Sequence, residues 1–111
     1  MDFQSQRHPN ATVIVLNGRM DAVTTPLYET QMRALLDEQV SHLVVDLGGI
    51  DYISSAGLRG LLITAKLIKG HGRDLRIINV VGNVLSVFQI SGFHAMFKID
   101  DSLEAALASL N

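Results

Sequence analysis

The chain has 111 residues, enough for one hydrophobic core and too few for a second. It has no cysteine, which excludes disulfides, thiolate metal sites and thiol catalysis. Hydrophobic residues make up 48% and charged residues only 18%, an apolar surplus that can face a partner, and a formal charge of −2 gives no broad attraction to nucleic acid or acidic lipid.

Residues 2–8, DFQSQRH, can alternate as an edge strand, antiparallel to the β-branched run TVIVLNG at 12–18, whose Asn-Gly reads as a turn signal. TTPLYETQMRALLDEQ, residues 24–39, opens like a helix: Thr25 can accept from an early amide, and Pro26 suits the first helical position. Tyr28, Met32, Leu35 and Leu36 then fall on one apolar stripe. HLVVDL, residues 42–47, is the near-continuous apolar run of a strand covered on both faces. SAGLRGLLITAKLIKGHG, residues 55–72, puts Leu58, Leu61, Leu62, Ala65 and Ile68 on one helical face and stops at Gly70 and Gly72. LRIINV (75–80) reads as a strand, NVLSVFQISG (83–92) as a short helix closed by Gly92, MFKI (96–99) as a last strand. DSLEAALASL (101–110) is a helix begun by Asp101 or Ser102.

The order β-β-α-β-α-β-α-β-α predicts one α/β domain over 1–111. Its sheet is mixed but mostly parallel, with about five strands and about four helices, and the first strand is antiparallel at the edge. In such sheets functional groups gather where strand C-termini meet helix N-termini. Two loops qualify, at 17–25 and 48–57.

The second loop carries two adjacent serines, Ser54 and Ser55, before Ala56 and Gly57. Two readings stand open. Serine is a preferred helix cap, so one or both can be structural. A serine there also projects its hydroxyl where free amides and the helix dipole favour an anion, with small neighbours that let another protein approach. Other chemistry is thin: SSAG is not a G-x-S-x-G elbow. His8, His42, His71 and His94 have no ligand spacing, and the GHG at 70–72 lacks the Lys-Ser/Thr pair of a phosphate loop. No metal or cofactor is expected. Asp46 reads as a strand-end group bonded to a loop, while Asp21 shares the edge with Ser55, either as a turn residue or as a contact.

Three stretches together resemble the STAS domain of bacterial anti-sigma factor antagonists: Gly18-Arg19-Met20-Asp21, VVDL running into DYISSAGLRGLL, and the late ISGFHAMFKIDDSLEAAL. The likeness covers nearly the whole chain. Its register implies Ser55 as phosphoacceptor, with Gly57 and Leu58 matching the residues downstream, which leaves Ser54 as the expected helix cap; Ser54 stands where many members have Asp, and Ala56 where many have Ser or Thr. Leu85 and Ser86 stand where members often carry charge. With Val84, Val87 and Phe88 available for the core, Leu85 turns outward, as an isolated surface leucine or a partner contact.

The resemblance implies a non-enzymatic partner switch. The unphosphorylated protein binds an anti-sigma factor, a serine kinase of the histidine-kinase-like ATPase fold, and frees the sigma factor. Phosphorylation of Ser55 ends the contact, and a metal-dependent serine phosphatase restores it. The expected contact set is Asp21, Ser54, Ser55, Ala56, Gly57 and Leu58, with Leu85 added from its outward place beside Ser55. The alternatives are a STAS subunit docked permanently in a lipid-transport or stress-signalling assembly, and a small hydrolase with Ser55 as nucleophile. No apolar run reaches the roughly 18 residues of a membrane span, and the polar MDFQSQRHPN start has no signal stretch, so a cytoplasmic location is expected, with neither membrane nor nucleic acid as partner.

Overall fold

A computed structural model describes residues 1–38 and 41–110. Gln39, the end of the expected 24–39 helix, and Asn111, the end of the expected 1–111 domain, lie outside the described residues. Strands β1 (Asp2–Arg7) and β2 (Ala11–Met20) are followed by helix α1 (Thr25–Glu38), β3 (His42–Ile53), α2 (Ser55–Gly70) and β4 (Leu75–Ile78). Then come α3 (Gly82–Ser91), a 3-10 turn at Phe93–Ala95, β5 (Lys98–Asp100) and α4 (Leu103–Ser109). The five strands form one sheet in the order β1-β2-β3-β4-β5, with β1 antiparallel to β2 and every other pair parallel. This is the fold class the sequence predicts.

Each crossover from β2 onward steps one strand in the same direction, so right-handed connections place α1, α2 and α3 on one face. Their buried residues, among them Tyr28, Met32, Leu61, Ile68, Val84 and Phe88, share one core with Ile14, Leu16, Val45 and Ile77 of the sheet. Helix α4 covers the other face, where Ala106 and Leu110 pack on Ala11, Val13, Val44 and Ile78. Ser102 starts this helix, its hydroxyl accepting from the Ala105 amide at 3.1 Å. On β4 and β5, Arg76 Nε and Nη2 donate to the Asp100 carboxylate at 2.7 and 3.1 Å, tying the short edge strand in place.

The structure corrects several local expectations. Thr25 does not cap α1: the Thr24 carbonyl accepts from Leu27 and Tyr28, while Thr25 is buried with its hydroxyl unpartnered among the described residues. Its methyl group lies against Gly60, where a Cβ would stand 2.8 Å from Thr25 Cγ2, so the glycine lets α1 and α2 approach closely. Thr64 takes the buried place on α2 that the apolar stripe gave to Leu62 and Ala65, which are half-buried. Its hydroxyl bonds to Tyr28 Oη and donates to the Gly60 carbonyl at 3.0 Å, and burial raises the Tyr28 pKa so that the phenol stays neutral. The stop expected at Gly70 and Gly72 stands: α2 ends at Gly70, and Gly72, at a left-handed φ of 74°, closes it with its N–H on the Lys69 carbonyl and Arg73 N–H on that of Ile68. Strand β4 ends at Ile78, because Asn79 adopts a left-handed φ of 59°. Strand β5 begins only at Lys98, after the 3-10 turn.

The main departure concerns β2 and β3, which run through most of what reads as loop. β1 last pairs with β2 at Asn17, and β4 last pairs with β3 at Asp46. Beyond those residues β2 and β3 continue alone as a two-stranded ribbon, Gly18 opposite Ile50 through to Met20 opposite Ile53. The Asn-Gly pair is therefore not a turn: Gly18, at φ +104°, sits beside a bulge within the ribbon.

A candidate switch site at the strand C-termini

The ribbon sets the position of Ser54 and Ser55. Its register shifts twice, between Val15 and Asn17 and between Gly18 and Arg19, each shift inserting one extra residue on β3. The second bulge puts Ile50 and Ile53, three apart, on the buried side and turns Asp51 and Tyr52 outward. Gly49 passes so close to Asn17 that a Cβ would stand 1.8 Å from its Oδ1. At the base of the ribbon, Asp46 Oδ1 accepts from the Gly48 amide at 2.8 Å and from Asn79 Nδ2 at 3.0 Å, closing the split between β3 and β4. The bond to the loop residue Asn79 is the one expected for Asp46, but Asp46 lies within β3 and not at its end.

At the tip, the Ser54 amide donates to the Met20 carbonyl at 2.9 Å, pinning the start of α2 to the end of β2. The Ser54 hydroxyl accepts from the Gly57 amide at 3.4 Å, a long capping bond. Ser54 is the cap. Ser55 is the first helical residue and is exposed, and among the described residues no hydrogen bond engages its hydroxyl. Ala56 is half-buried. Gly57 and Leu58 are buried, Leu58 to 4%, so neither offers a side chain to a partner. Gly57 instead allows a close fit: a Cβ there would meet the Met20 carbonyl oxygen at 2.7 Å and Ile53 Cγ1 at 2.8 Å. The small residues of SSAG let a helix begin directly against a strand, and the exposed Ser55 is the consequence.

Asp21 follows the ribbon on the neighbouring loop. Its Oδ1 accepts from the amides of Val23 and Thr24, both at 3.0 Å, and from the Thr24 hydroxyl at 3.2 Å. Its Oδ2 lies 3.5 Å from Arg19 Nε. The Thr24 amide is the main cause that holds the Asp21 carboxyl below its ordinary pKa, partly offset by desolvation, with the Val23 amide, the Thr24 hydroxyl and Arg19 adding to the lowering. Asp21 thus organises its own turn. Arg19 in turn lies over the Tyr52 ring, 4.3 Å from its centroid.

Apolar side chains surround this end of the sheet. Val23 is 80% exposed, Leu27 57% and Tyr52 40%, and Val81 and Leu85 are exposed where α3 begins. Leu85 faces outward while Val84 and Phe88 enter the core, as the helical pattern predicts. Reading the sequence for this edge missed Arg19, Val23, Leu27, Tyr52 and Val81. Leu27 was visible in principle, since it falls off the Tyr28–Leu36 stripe. Tyr52 was hidden by the bulge, which breaks the alternation of β3. The histidines lie elsewhere: His8 precedes β2, His42 opens β3, His71 ends α2 and His94 follows α3, all at the opposite end of the parallel strands from Ser55.

The STAS domain family model matches residues 2–106. The chain belongs to the STAS domain family. Among curated relatives, BtrV of Bordetella bronchiseptica, provisionally named an anti-sigma factor antagonist, is 36% identical over 97 residues, covering 87% of this chain and 84% of that protein. Among solved structures, an anti-sigma factor antagonist of Mycobacterium paratuberculosis superposes with a TM-score of 0.87 at 22% identity, covering 98% of this chain and 92% of that one. The Bacillus cell fate determinant SpoIIAA, an anti-sigma factor antagonist solved in unphosphorylated and phosphorylated forms, gives TM-scores of 0.72 and 0.71 at 16% and 18% identity. Those two structures cover 97% and 99% of this chain, which covers 96% and 100% of theirs. At these identities the solved structures show that the STAS fold is shared.

Proposed function

We propose that this STAS domain is an anti-sigma factor antagonist switched by phosphorylation of Ser55. Unphosphorylated, it docks the strand C-terminal end on an anti-sigma factor that is also a serine kinase of the histidine-kinase-like ATPase fold, and so frees a sigma factor. The kinase phosphorylates Ser55 and the complex separates; a metal-dependent serine phosphatase resets it. The observation that carries this reading is the division of labour between the serines. Ser54 caps α2, and Ser55 holds out an unengaged hydroxyl at the helix N-terminus. The naming of relatives as anti-sigma factor antagonists supports the partner class.

The physics of the switch is desolvation. A phosphoserine adds about −1.5 to −2 charges at neutral pH. In free protein that charge is hydrated and favoured by the first-turn amides of α2. Pressed into an interface lined by Val23, Leu27 and Tyr52, it loses its water at a cost of several kcal/mol unless the partner supplies a matching cation. Asp21 adds little repulsion, because Arg19 and the turn amides already engage its carboxylate. A binding module also suits the topology better than an enzyme does. The strand order never reverses, so the sheet lacks the switch-point crevice where α/β enzymes hold substrates. A hydrolase would need a base beside Ser55, and the histidines are at the other end of the strands.

Incubation with ATP and the candidate kinase, followed by intact-mass measurement and phosphopeptide mapping, tests the reading. One phosphate on Ser55 is the expected result. Phosphate on Ser54 or elsewhere, or none from a kinase that binds the chain, overturns it.

A further inference from the structure

At the end of the sheet remote from Ser55, a groove of about 190 Å³ opens between the C-terminus of α2, the start of β4 and the segment entering β5. Its floor is apolar, built from Ile68, Leu75 and Phe97, and Met96 stands at its side 54% exposed. Lys69, Arg73 and Lys98 line it, three of the nine lysines and arginines of a chain whose net charge is −2. Asp74 is the one carboxylate in the lining, and it lies 3.4 Å from Lys98 Nζ. The groove is therefore a local excess of positive charge above an apolar floor, on a protein that is acidic overall.

Volume and charge narrow the occupant. Small-molecule sites run to about 300–1,000 Å³, so this groove is too small to enclose a typical ligand but large enough for one or two side chains. We propose that it is a second docking site, independent of the Ser55 switch, for a partner's acidic peptide segment that inserts an apolar side chain between Lys69, Arg73 and Lys98. The apolar anchor covers Met96 and Phe97, and flanking carboxylates meet the cations, a complementarity that also steers the encounter. The two sites lie at opposite ends of α2, whose 16 residues span about 24 Å. That is several times the screening length of about 8 Å at physiological salt, so a phosphate on Ser55 barely reaches the groove. A partner held there stays tethered while the other end lets go, which raises the effective concentration for rebinding.

The test uses the full ¹⁵N-labelled chain and three labelled peptides with a central Leu-Phe pair, flanked by glutamates, glutamines or lysines. The glutamate peptide is expected to bind saturably and to shift the amides of Lys69, Arg73, Leu75, Met96 and Lys98. The exposed pair Lys69→Glu and Arg73→Glu should weaken it by about tenfold or more, and raising salt to about 0.5 M should do likewise. Met96→Gln should weaken it without changing its salt dependence. Ser55→Glu should leave its affinity within about twofold, so that failure here is distinct from failure of the switch. Equal binding by the glutamine peptide, shifts outside the groove, or an unaltered affinity in the double variant would overturn the proposal. So would the same shifts from inorganic phosphate alone, which would make the ligand a small anion. Self-association abolished by the double variant would likewise overturn it in favour of a second copy of the chain.

Discussion

Gly57→Ala probes the contact that sets Ser55 in place. The added methyl would stand 2.7 Å from the Met20 carbonyl oxygen, 2.8 Å from Ile53 Cγ1 and 3.0 Å from Met20 Cγ. Neither Met20 atom yields easily, because its side chain is fully buried in the core and its carbonyl accepts the Ser54 amide that anchors α2. Overpacking of this kind costs about 1–3 kcal/mol. Alanine returns up to about 1 kcal/mol in helix propensity, and less in the first turn than mid-helix. The net is a loss of roughly 1–2 kcal/mol, or a fall in Tm of about 4–8 °C for a domain of this size. Gly70→Ala in the last turn of the same helix is the control. Nothing lies within 4 Å of a Cβ there, so it should be neutral or stabilising by about 0.4–1 kcal/mol. Denaturant unfolding with unchanged m-values measures both, and phosphorylation rate reports whether Ser55 has moved. If Gly57→Ala proved as stable as the parent, the close fit of helix to strand would not be what the SSAG sequence provides.

Ser54→Ala should cost about 0.5–1 kcal/mol, the lower part of the capping range because the bond to Gly57 is 3.4 Å long, and should leave the phosphate on Ser55; unfolding and peptide mapping check the two parts. Asp21 has a lowered folded pKa, so its stabilisation is present above its ordinary value of about 3.8 and is lost as pH falls through the folded value. Asp21→Asn should therefore flatten the acid limb of stability against pH, and an unchanged limb would mean that the turn bonds do not favour the charged form. Val23→Ser, at a position 80% exposed, should weaken partner binding while shifting stability by less than about 0.5 kcal/mol; Leu85→Ser, at a position 36% exposed, should weaken it too at a stability cost of about 1 kcal/mol, by calorimetry and unfolding.

Period and punctuation carried most of the fold. The apolar stripe of α1, the burial of Val84 and Phe88, the Gly92 stop and the antiparallel first strand all follow from local pattern, because each rests on neighbours in the chain. The length of β2 and β3 did not follow. Two bulges break the period of two over Gly48–Ile53, and the Gly-Gly pair there reads as loop, although Gly49 serves the close approach to Asn17 across the ribbon and Gly48 packs on Asp46 and Asn79 at its base. Thr25 and Thr64 misled for a related reason: each is polar by composition but buried by a contact more than thirty residues away in sequence, Thr25 at Gly60 and Thr64 at Tyr28. The two serines were legible in the sequence, Ser54 as the cap and Ser55 as the switch residue, and the helix start at Ser55 bears out the capping half. The apolar rim of Val23, Leu27, Tyr52 and Val81 needed the topology, which gathers three loops distant in sequence at one end of the sheet.

The most direct test is a calorimetric comparison of two forms of the same chain, unphosphorylated and phosphorylated on Ser55, binding the anti-sigma factor. A desolvation penalty of several kcal/mol predicts a loss of about a hundredfold or more in affinity on phosphorylation, with Ser55→Ala binding as the unphosphorylated parent does. Equal affinity of the two forms would contradict the account.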